Sequence, residues 1–561
     1  MMAMACMACM AGSLMGAQAE EADAVADQQA KRFLQVLPNG YFAWEDGTAY
    51  LPLGGFYGNF VHKVVDGETT DERVGSIRDT TPEEKRAWFK VLADNGVNCL
   101  RIMSRDHPSE GVDEWDIVGA VNEPLLRDWE AYWELAREYG ISILTTIHES
   151  YYADYAPYRN RDVMLRMVTE KHYTDEELAE LPAYRRRFLE GNIIEDRSEM
   201  YTDPDIVRAR KDYVDALIPR LRENPSILLY ELENEQDVDI YDWTNLNIEW
   251  IRELDKKTPI GISHSGDGLF HVDPLPHTHK TNIDWYSYHI YPVAQVTHED
   301  LDYGTAVSLI ARYVMIGTPA GVGESGAHIL ENGPTDAWRR ALARDTVWLP
   351  FLSGNNHIMF WDGGQAEAVA CGELARVIAD VDLAKLNRKR PSIAVDVDHP
   401  MDDDLFFRSD AGKAMYKTMG QYEDHFMALG VEFDYVLGAS DEYETVLPGD
   451  AFEAYTPEER LFDVPEGYQV RHLRSDDDDL IIAYIRNRGE THKVGDGWHS
   501  GWLRKATPAP FRLGLRLPGA YAGYLLALEA GVREAVAIDG AGSVGSGEPS
   551  VDDYVLFLRK Q

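Results

Sequence analysis

The chain reads as an α/β protein built on a closed (β/α)8 barrel, and three observations carry that reading. Between residues 50 and 380, short apolar runs of strand length alternate with amphipathic stretches of helix length. That alternation is the pattern of a parallel sheet with crossover helices. The runs number eight, at 50–55, 97–103, 141–147, 226–235, 259–263, 283–291, 319–324 and 357–361. Eight units over roughly 340 residues suit a barrel with insertions. An open doubly wound sheet would want a phosphate loop after its first strand, and Gly54-Gly55-Phe56-Tyr57-Gly58 lacks that spacing.

Residues 33 to 55 read as short strands around the turns Pro38-Asn39-Gly40 and Asp46-Gly47. Thr81-Pro82-Glu83-Glu84 is a capping box with proline at the first helical position, and its helix stops at Gly96. A helix at 125–139 stops at Gly140, and Asp203-Pro204 opens the helix before strand 226–235. Further helices are expected at 241–254, 305–314, 335–346 and 372–380. The pattern changes at Pro391. A strand at 392–397, a helix at 412–429 and strands at 431–437 and 443–447 form a small α/β unit. From about 467, short alternating strands with Gly/Pro turns predict a C-terminal β-sandwich. The expected organisation is a barrel over 30–390, an α/β unit over 391–460 and a sandwich over 461–561.

Of 561 residues, 45% are hydrophobic, enough for a large core. With 54 basic and 96 acidic residues the formal charge is −42, a surface that repels nucleic acid and anionic membranes. Residues 1–19 are Met- and Ala-rich, carry no charge and end in Ala17-Gln18-Ala19. They read as a secretory signal, and so predict a secreted or periplasmic protein. No later run reaches the length of a membrane span. Beyond the signal only Cys99 and Cys371 remain, too few for a disulfide framework, and Cys99 sits in an apolar strand as a core thiol. The acidic runs 402–404 and 476–479 lack the alternating oxygen spacing of a calcium loop. His277 and His279, in a loop before the sixth strand, are not where barrel metallohydrolases hold an ion. No metal and no cofactor is expected.

A barrel aims the C-terminal ends of all its strands at one pocket. The polar residues at those ends are Arg101, His148, Asn234 with Glu235, His264 with Asp267, His289 with Tyr291, Glu324, and Trp361. Singly each has a bland explanation: a surface ion pair, a satisfied core histidine, a packed tryptophan. Together they do not, because buried charges are costly unless paired. Two strand-end carboxylates on one rim are what glycosidic bond cleavage requires.

In order, these ends resemble clan A of the glycoside hydrolases, and family 5 in particular. The most specific element is Asn-Pro-x-Ile…Glu-Leu-x-Asn-Glu at 224–235, and Gly323-Glu324-Ser325-Gly326 resembles the family's Gly-Glu-Phe-Gly with serine in place of phenylalanine. The resemblance covers about residues 40 to 385. It implies a retaining enzyme acting on an oligo- or polysaccharide with a β linkage. Glu324 would be the nucleophile, held by Arg101 and Tyr291, and Glu235 the acid/base. Asn234 would bond the sugar 2-hydroxyl, His148 and His289 would bind hydroxyls or orient the glutamates, and Trp361 would stack on the sugar. The α/β unit resembles a reduced version of the extra domain in some barrel β-galactosidases, which keeps galactosides among the expected sugars.

The alternative is a non-catalytic carbohydrate-binding or scaffold protein on a decayed barrel; the intact pair of carboxylates argues against it. Another barrel enzyme, a metal-dependent hydrolase or a sugar-phosphate isomerase, would want a metal cluster or a phosphate loop near the last strands. A second Asn-Glu, followed by proline at 122–124, is expected to be only the start of a helix. The long stretch 151–203, opening on four tyrosines within 151–158, is expected to shape access to the pocket.

Overall fold

Eight parallel strands close into a barrel. They are β1 (Leu53–Gly55), β2 (Cys99–Ile102), β3 (Ser142–Glu149), β4 (Ile227–Asn234), β5 (Ile260–His264), β6 (Trp285–His289), β7 (Ala320–Glu324) and β8 (Ile358–Phe360). The seam is closed by Ile358, Met359 and Phe360 pairing with Leu53, Gly54 and Gly55. The structure is a computed structural model. It describes residues 31–561 apart from 57, 105–114, 117, 150–173, 191–193, 195, 197, 237–239, 265–267, 271, 327–329, 331–335, 362–363, 398, 439 and 498–499. The expected signal segment, the tyrosines of 151–158 and Asp267 lie outside the described residues.

One main helix follows each strand: α1 (Pro82–Asp94), α2 (Glu123–Arg137), α3 (Pro204–Glu223), α4 (Tyr241–Leu254), α5 (Pro274–Lys280), α6 (Tyr303–Tyr313), α7 (Asp336–Leu352) and α8 (Gln365–Ile378). The local chemistry starts them where the sequence says. Thr81 and Glu84 form the reciprocal capping box of α1, and the Asp203 side chain accepts from Asp205 and Ile206 at the head of α3. Helix α8 begins well before the expected 372–380. Gly372 marks a close approach rather than a start, since a Cβ there would lie 2.6 Å from the Asn95 carbonyl oxygen. His277 and His279 lie within α5 rather than in a loop, because Asp273 caps that helix and Pro274 opens it.

The bottom of the barrel is plugged. Cys99, Leu144, Leu228, Leu229, Trp285 and Met359 pack with Leu34 and Phe42. The last two come from a small antiparallel sheet of Leu34–Val36, Phe42–Trp44 and Ala49–Tyr50. The polar strand ends therefore gather at the opposite mouth. A hairpin that the sequence reading did not anticipate, Phe60–Val65 with Glu68–Ser76, follows β1.

After the barrel, three parallel strands, Ile393–Asp396, Asp434–Val436 and Thr445–Pro448, form a sheet with the helix Asp410–Leu429. Gly430 ends that helix in the left-handed region at φ +63°. The C-terminal part is an antiparallel six-stranded sheet with two further two-stranded pairs, consistent with the expected sandwich. Its core is aliphatic and aromatic, with Val470, Ile481, Ile485, Leu513, Tyr521 and Leu556 all buried. Cys99 and Cys371 are buried free thiols.

Candidate active site

The mouth of the barrel is organised around one buried guanidinium. Arg101, at the end of β2, is 2% exposed. Its Nε and Nη2 donate to Glu231 at 2.7 and 2.9 Å, Nη2 also donates to Asn234 Oδ1 at 2.7 Å, and Nη1 donates to Glu324 Oε1 at 2.5 Å. Burial alone would lower this group's pKa, but Glu231 and Glu324 more than offset it and hold the guanidinium charged. The fork thus ties β2, β4 and β7 together at one point. Because Asn234 gives its oxygen to Arg101, its amide nitrogen is turned away from the clamp.

The second oxygen of Glu324 accepts from the Tyr291 hydroxyl at 2.7 Å. With one donor on each oxygen, the plane of the carboxylate is fixed. His289, at the end of β6, lies between the two glutamates. Its Nδ1 is 2.9 Å from Glu235 Oε1 and 3.4 Å from Glu324 Oε2. The ring is fully buried, which pushes its pKa down to about 4, against the opposing pull of Glu324. The ring is therefore neutral near pH 7, and with its proton on Nδ1 it donates to Glu235. Two local features bring it there. A register shift between β6 and β7 sets His289 beside Glu324. Gly323 leaves room, since a Cβ there would sit 2.0 Å from the Ser287 hydroxyl and 3.0 Å from the His289 ring.

Glu235 directly follows β4 with φ +52°, a left-handed backbone rare outside glycine. That turn is pinned by β5, whose Ser263 hydroxyl and carbonyl accept from the backbone N–H groups of Glu235 and Gln236 at 3.1 and 2.9 Å. It aims Glu235 at Glu324. A carboxylate oxygen of each residue and a ring nitrogen of His289 all lie within 4.8 Å of one another. Retaining glycosidases hold their carboxyl groups about 5–5.5 Å apart and inverting ones about 6.5–9.5 Å. Among the described residues, the same three side chains are the group close enough to share a metal ion. The Arg101 guanidinium already sits against Glu324, 2.5 Å from its Oε1.

The other expected residues distribute as follows. Trp361 is part-exposed at the mouth, packed against Phe60 and Met103, and its backbone N–H donates to the Ser325 carbonyl at 2.7 Å. His148 turns to α4, where its Nε2 meets Asn247 Oδ1 at 3.0 Å; burial first and Arg210 second hold it well below the usual histidine range. His264 bonds the Tyr286 hydroxyl at 3.1 Å and packs on His277 in the helix layer, so it is not part of the pocket. Glu123 begins a helix as expected, with the Asn122 side chain capping it. It is half exposed, sits in the first turn of α2 and pairs with Arg220 at 2.6 Å.

Sequence reasoning missed Glu231 and Glu233. Both are fully buried. Glu231 is the anchor of the Arg101 fork, and Glu233 accepts from Arg210 at 2.7 Å and from the Trp243 indole at 3.0 Å. The signal was present: Glu231, Glu233 and Glu235 alternate through an otherwise apolar run, and buried carboxylates demand partners.

No family model matches the chain. A mannan endo-1,4-β-mannosidase A of Aspergillus aculeatus is 26% identical over 188 residues, covering 30% of this chain and 48% of that protein. The chain spans about a third to a half of the length of the curated relatives it matches, 34% and 48% for two of them. Among solved structures, the exo-β-1,4-mannosidase Op5Man5 from Opitutaceae bacterium strain TAV5 superposes with a TM-score of 0.52 at 14% identity, over 74% of this chain and 75% of that one. A β-galactosidase from Bacillus circulans sp. alkalophilus gives 0.53 at 9% identity, over 86% and 97%. The structural likenesses establish the fold.

Proposed function

We propose that the chain is a retaining glycoside hydrolase acting on β-linked mannosides. The observation that carries this reading is the geometry of Glu235 and Glu324. Two buried carboxylates face each other across a neutral His289, and one of them is fixed on both oxygens by Arg101 and Tyr291. Glu324 attacks the anomeric carbon and forms a glycosyl-enzyme while Glu235 protonates the departing glycosidic oxygen. Glu235 then removes a proton from the incoming water, which releases the sugar with its β configuration kept. The Asn234 amide is turned to donate to the sugar 2-hydroxyl, and Trp361 at the mouth offers an apolar face to the ring. Mannose is favoured because a sequence relative and a fold neighbour are named as β-1,4-mannan or β-1,4-mannoside enzymes. A polymeric substrate also goes with the secretory reading of residues 1–19.

The test combines a substrate panel with a trap. Aryl β-mannoside and β-1,4-mannooligosaccharides should be hydrolysed in preference to the corresponding glucosides and galactosides, and proton NMR should find the β anomer first. A 2-deoxy-2-fluoro-β-mannosyl fluoride should label Glu324. Release of the α anomer, or a label on another residue, would sink the mechanism. Absence of turnover across the whole panel would return the non-catalytic reading.

A further inference from the structure

Behind the nucleophile strand lies a buried node of hydroxyl groups that the chemistry above does not use. Ser325, the residue after Glu324, is fully buried. Its Oγ is 2.6 Å from the Tyr303 hydroxyl and 3.3 Å from Thr346 Oγ1, and those two are 3.0 Å apart. Tyr303 also donates to the carbonyl of Ile290 at 3.3 Å. Ile290 stands between His289 and Tyr291, the two side chains that touch the glutamates, and its own N–H donates to the Glu324 carbonyl at 2.9 Å. The node therefore holds the ends of β6 and β7 at the point where both carry site residues. Through the Ser325 carbonyl it reaches the backbone of Trp361 as well.

The other side of this node faces the C-terminal part. Tyr303 is flanked by Asp302 and Gly304, and Thr346 follows Asp345. Arg486 donates to Asp302 at 2.9 Å and to Asp345 at 3.1 Å. Arg504 grips both oxygens of Asp345 at 2.9 Å each, and the Tyr484 hydroxyl adds a bond of 2.9 Å. Arg486, Arg504 and Asp345 are each no more than 3% exposed, so these are charges removed from water. Gly304 is needed for the approach: a Cβ there would lie 2.3 Å from Asp345 Oδ2 and 2.5 Å from Arg486 Nη2. A second contact is independent of the first. Gly501 lies so close to Pro292, the residue after Tyr291, that a Cβ would fall 1.6 Å from its carbonyl oxygen, and the Trp502 N–H donates to Thr297 Oγ1 at 2.9 Å.

We infer that Tyr303, Ser325 and Thr346 are positioning residues for Glu324, and that the C-terminal part, through Arg486 of its six-stranded sheet and Arg504 of a two-stranded pair beside it, sets their geometry. In this reading the C-terminal part belongs to the catalytic unit rather than being an appended module. The inference rests on the proposed role of Glu324. Each connection pairs a residue facing the sheet with a chain neighbour facing the nucleophile: Asp302 with Tyr303, and Asp345 with Thr346. A displacement of either arginine therefore reaches β7 through one peptide unit and one hydroxyl.

The test follows glycosyl-enzyme formation in the full chain. Tyr303→Phe and Ser325→Ala remove one hydroxyl each, and Arg486→Gln loosens the sheet contact while Arg486→Lys restores its charge. The inactivation rate by the fluoro-mannosyl fluoride and the kcat of an aryl mannoside should each fall about tenfold in Tyr303→Phe and Arg486→Gln, a loss on the scale of about one hydrogen bond. KM should stay within about twofold. Arg486→Lys should recover part of the rate. Arg516→Gln, an exposed arginine of the same sheet paired with Asp463, should behave as wild type. Wild-type rates in Tyr303→Phe and Ser325→Ala overturn the inference. So does a loss in KM alone. If Arg486→Gln does not fold, the two hydroxyl deletions decide. A wild-type protein that the reagent does not label at Glu324 overturns the proposed function, and this inference with it. Labelling that is equal in wild type and variants overturns the inference alone.

Discussion

The Arg101 fork permits a prediction in which stability and activity part company. Arg101→Met removes all four of its hydrogen bonds. Glu324 keeps Tyr291, but Glu231, fully buried, loses a donor on each oxygen. Removing one partner of a buried pair costs about 3–5 kcal/mol, because the other charge is stranded. Against total stabilities of about 5–15 kcal/mol this is a large fraction. Most of that penalty resides in Glu231, so Glu231→Leu added to Arg101→Met should recover it. Replacing a whole buried pair by apolar side chains is commonly neutral or stabilising by about 1–4 kcal/mol. Activity should not recover, because Glu324 still lacks its charged donor. A loss of about 2.7–4 kcal/mol in transition-state stabilisation corresponds to about 10²–10³ in kcat/KM. Urea unfolding at pH 7 followed by tryptophan fluorescence, with kcat/KM on an aryl mannoside, reads both quantities. The expected order of stability is double variant near wild type and single variant far below, with both nearly inactive. A double variant as unstable as the single one would refute the placement of the energy in Glu231. Wild-type activity in either would refute the role of the fork.

Three further outcomes follow. Glu235→Ala should lose activity on unactivated mannooligosaccharides while keeping glycosylation by substrates with good leaving groups, and azide should partly restore its turnover; equal losses on both substrate types without rescue count against Glu235 as the acid/base. Glu123→Gln should leave kcat/KM unchanged and cost at most a few tenths of a kcal/mol, since its partner Arg220 lies at the surface; an inactive Glu123→Gln would mean that the wrong Asn-Glu pair was chosen. His357 is buried in the barrel with its pKa pushed down to about 3, so the unfolded chain takes up a proton there as pH falls below about 6.5 while the native state does not. Its contribution to stability is complete above that pH and is lost between about 6.5 and 3; His357→Gln should flatten the fall in urea-unfolding stability over this window, and an unchanged slope would place the acid sensitivity elsewhere.

The barrel was legible because its units repeat an apolar run followed by an amphipathic helix, and several of those helices start at a capping side chain. Thr81 and Asp203 mark boundaries that local hydrogen bonds enforce, so one sequence suffices to find them. The members of the site were legible for a different reason. A closed barrel converts position at a strand end into position in space, and Arg101, Asn234, Glu235, His289, Tyr291 and Glu324 do converge. That conversion does not hold for every strand end. His264 ends β5 but points to the helix layer, because side chains alternate along a strand and a single run does not say which face its last residue takes. Glu231 and Tyr303 were missed because their partners are 130 and 22 residues away and follow no periodicity. Gly372 misled because close packing and a helix boundary both call for glycine.

The left-handed backbone of Glu235 bears on how this position can be probed at all. Holding a side chain other than glycine there costs on the order of 1 kcal/mol, and the strain is borne by the ties to Ser263. Asparagine and glycine relieve it, alanine carries it unchanged, and valine or isoleucine would aggravate it. A survey of all replacements at 235 would thus sort them by two unrelated yardsticks, retained acidity and tolerance of a positive φ. Aspartate would keep the acid on a shorter arm. Asparagine would lack the acid that unactivated oligosaccharides need while folding at least as firmly as the parent, and so be the cleaner host for soaking an intact oligosaccharide into the pocket.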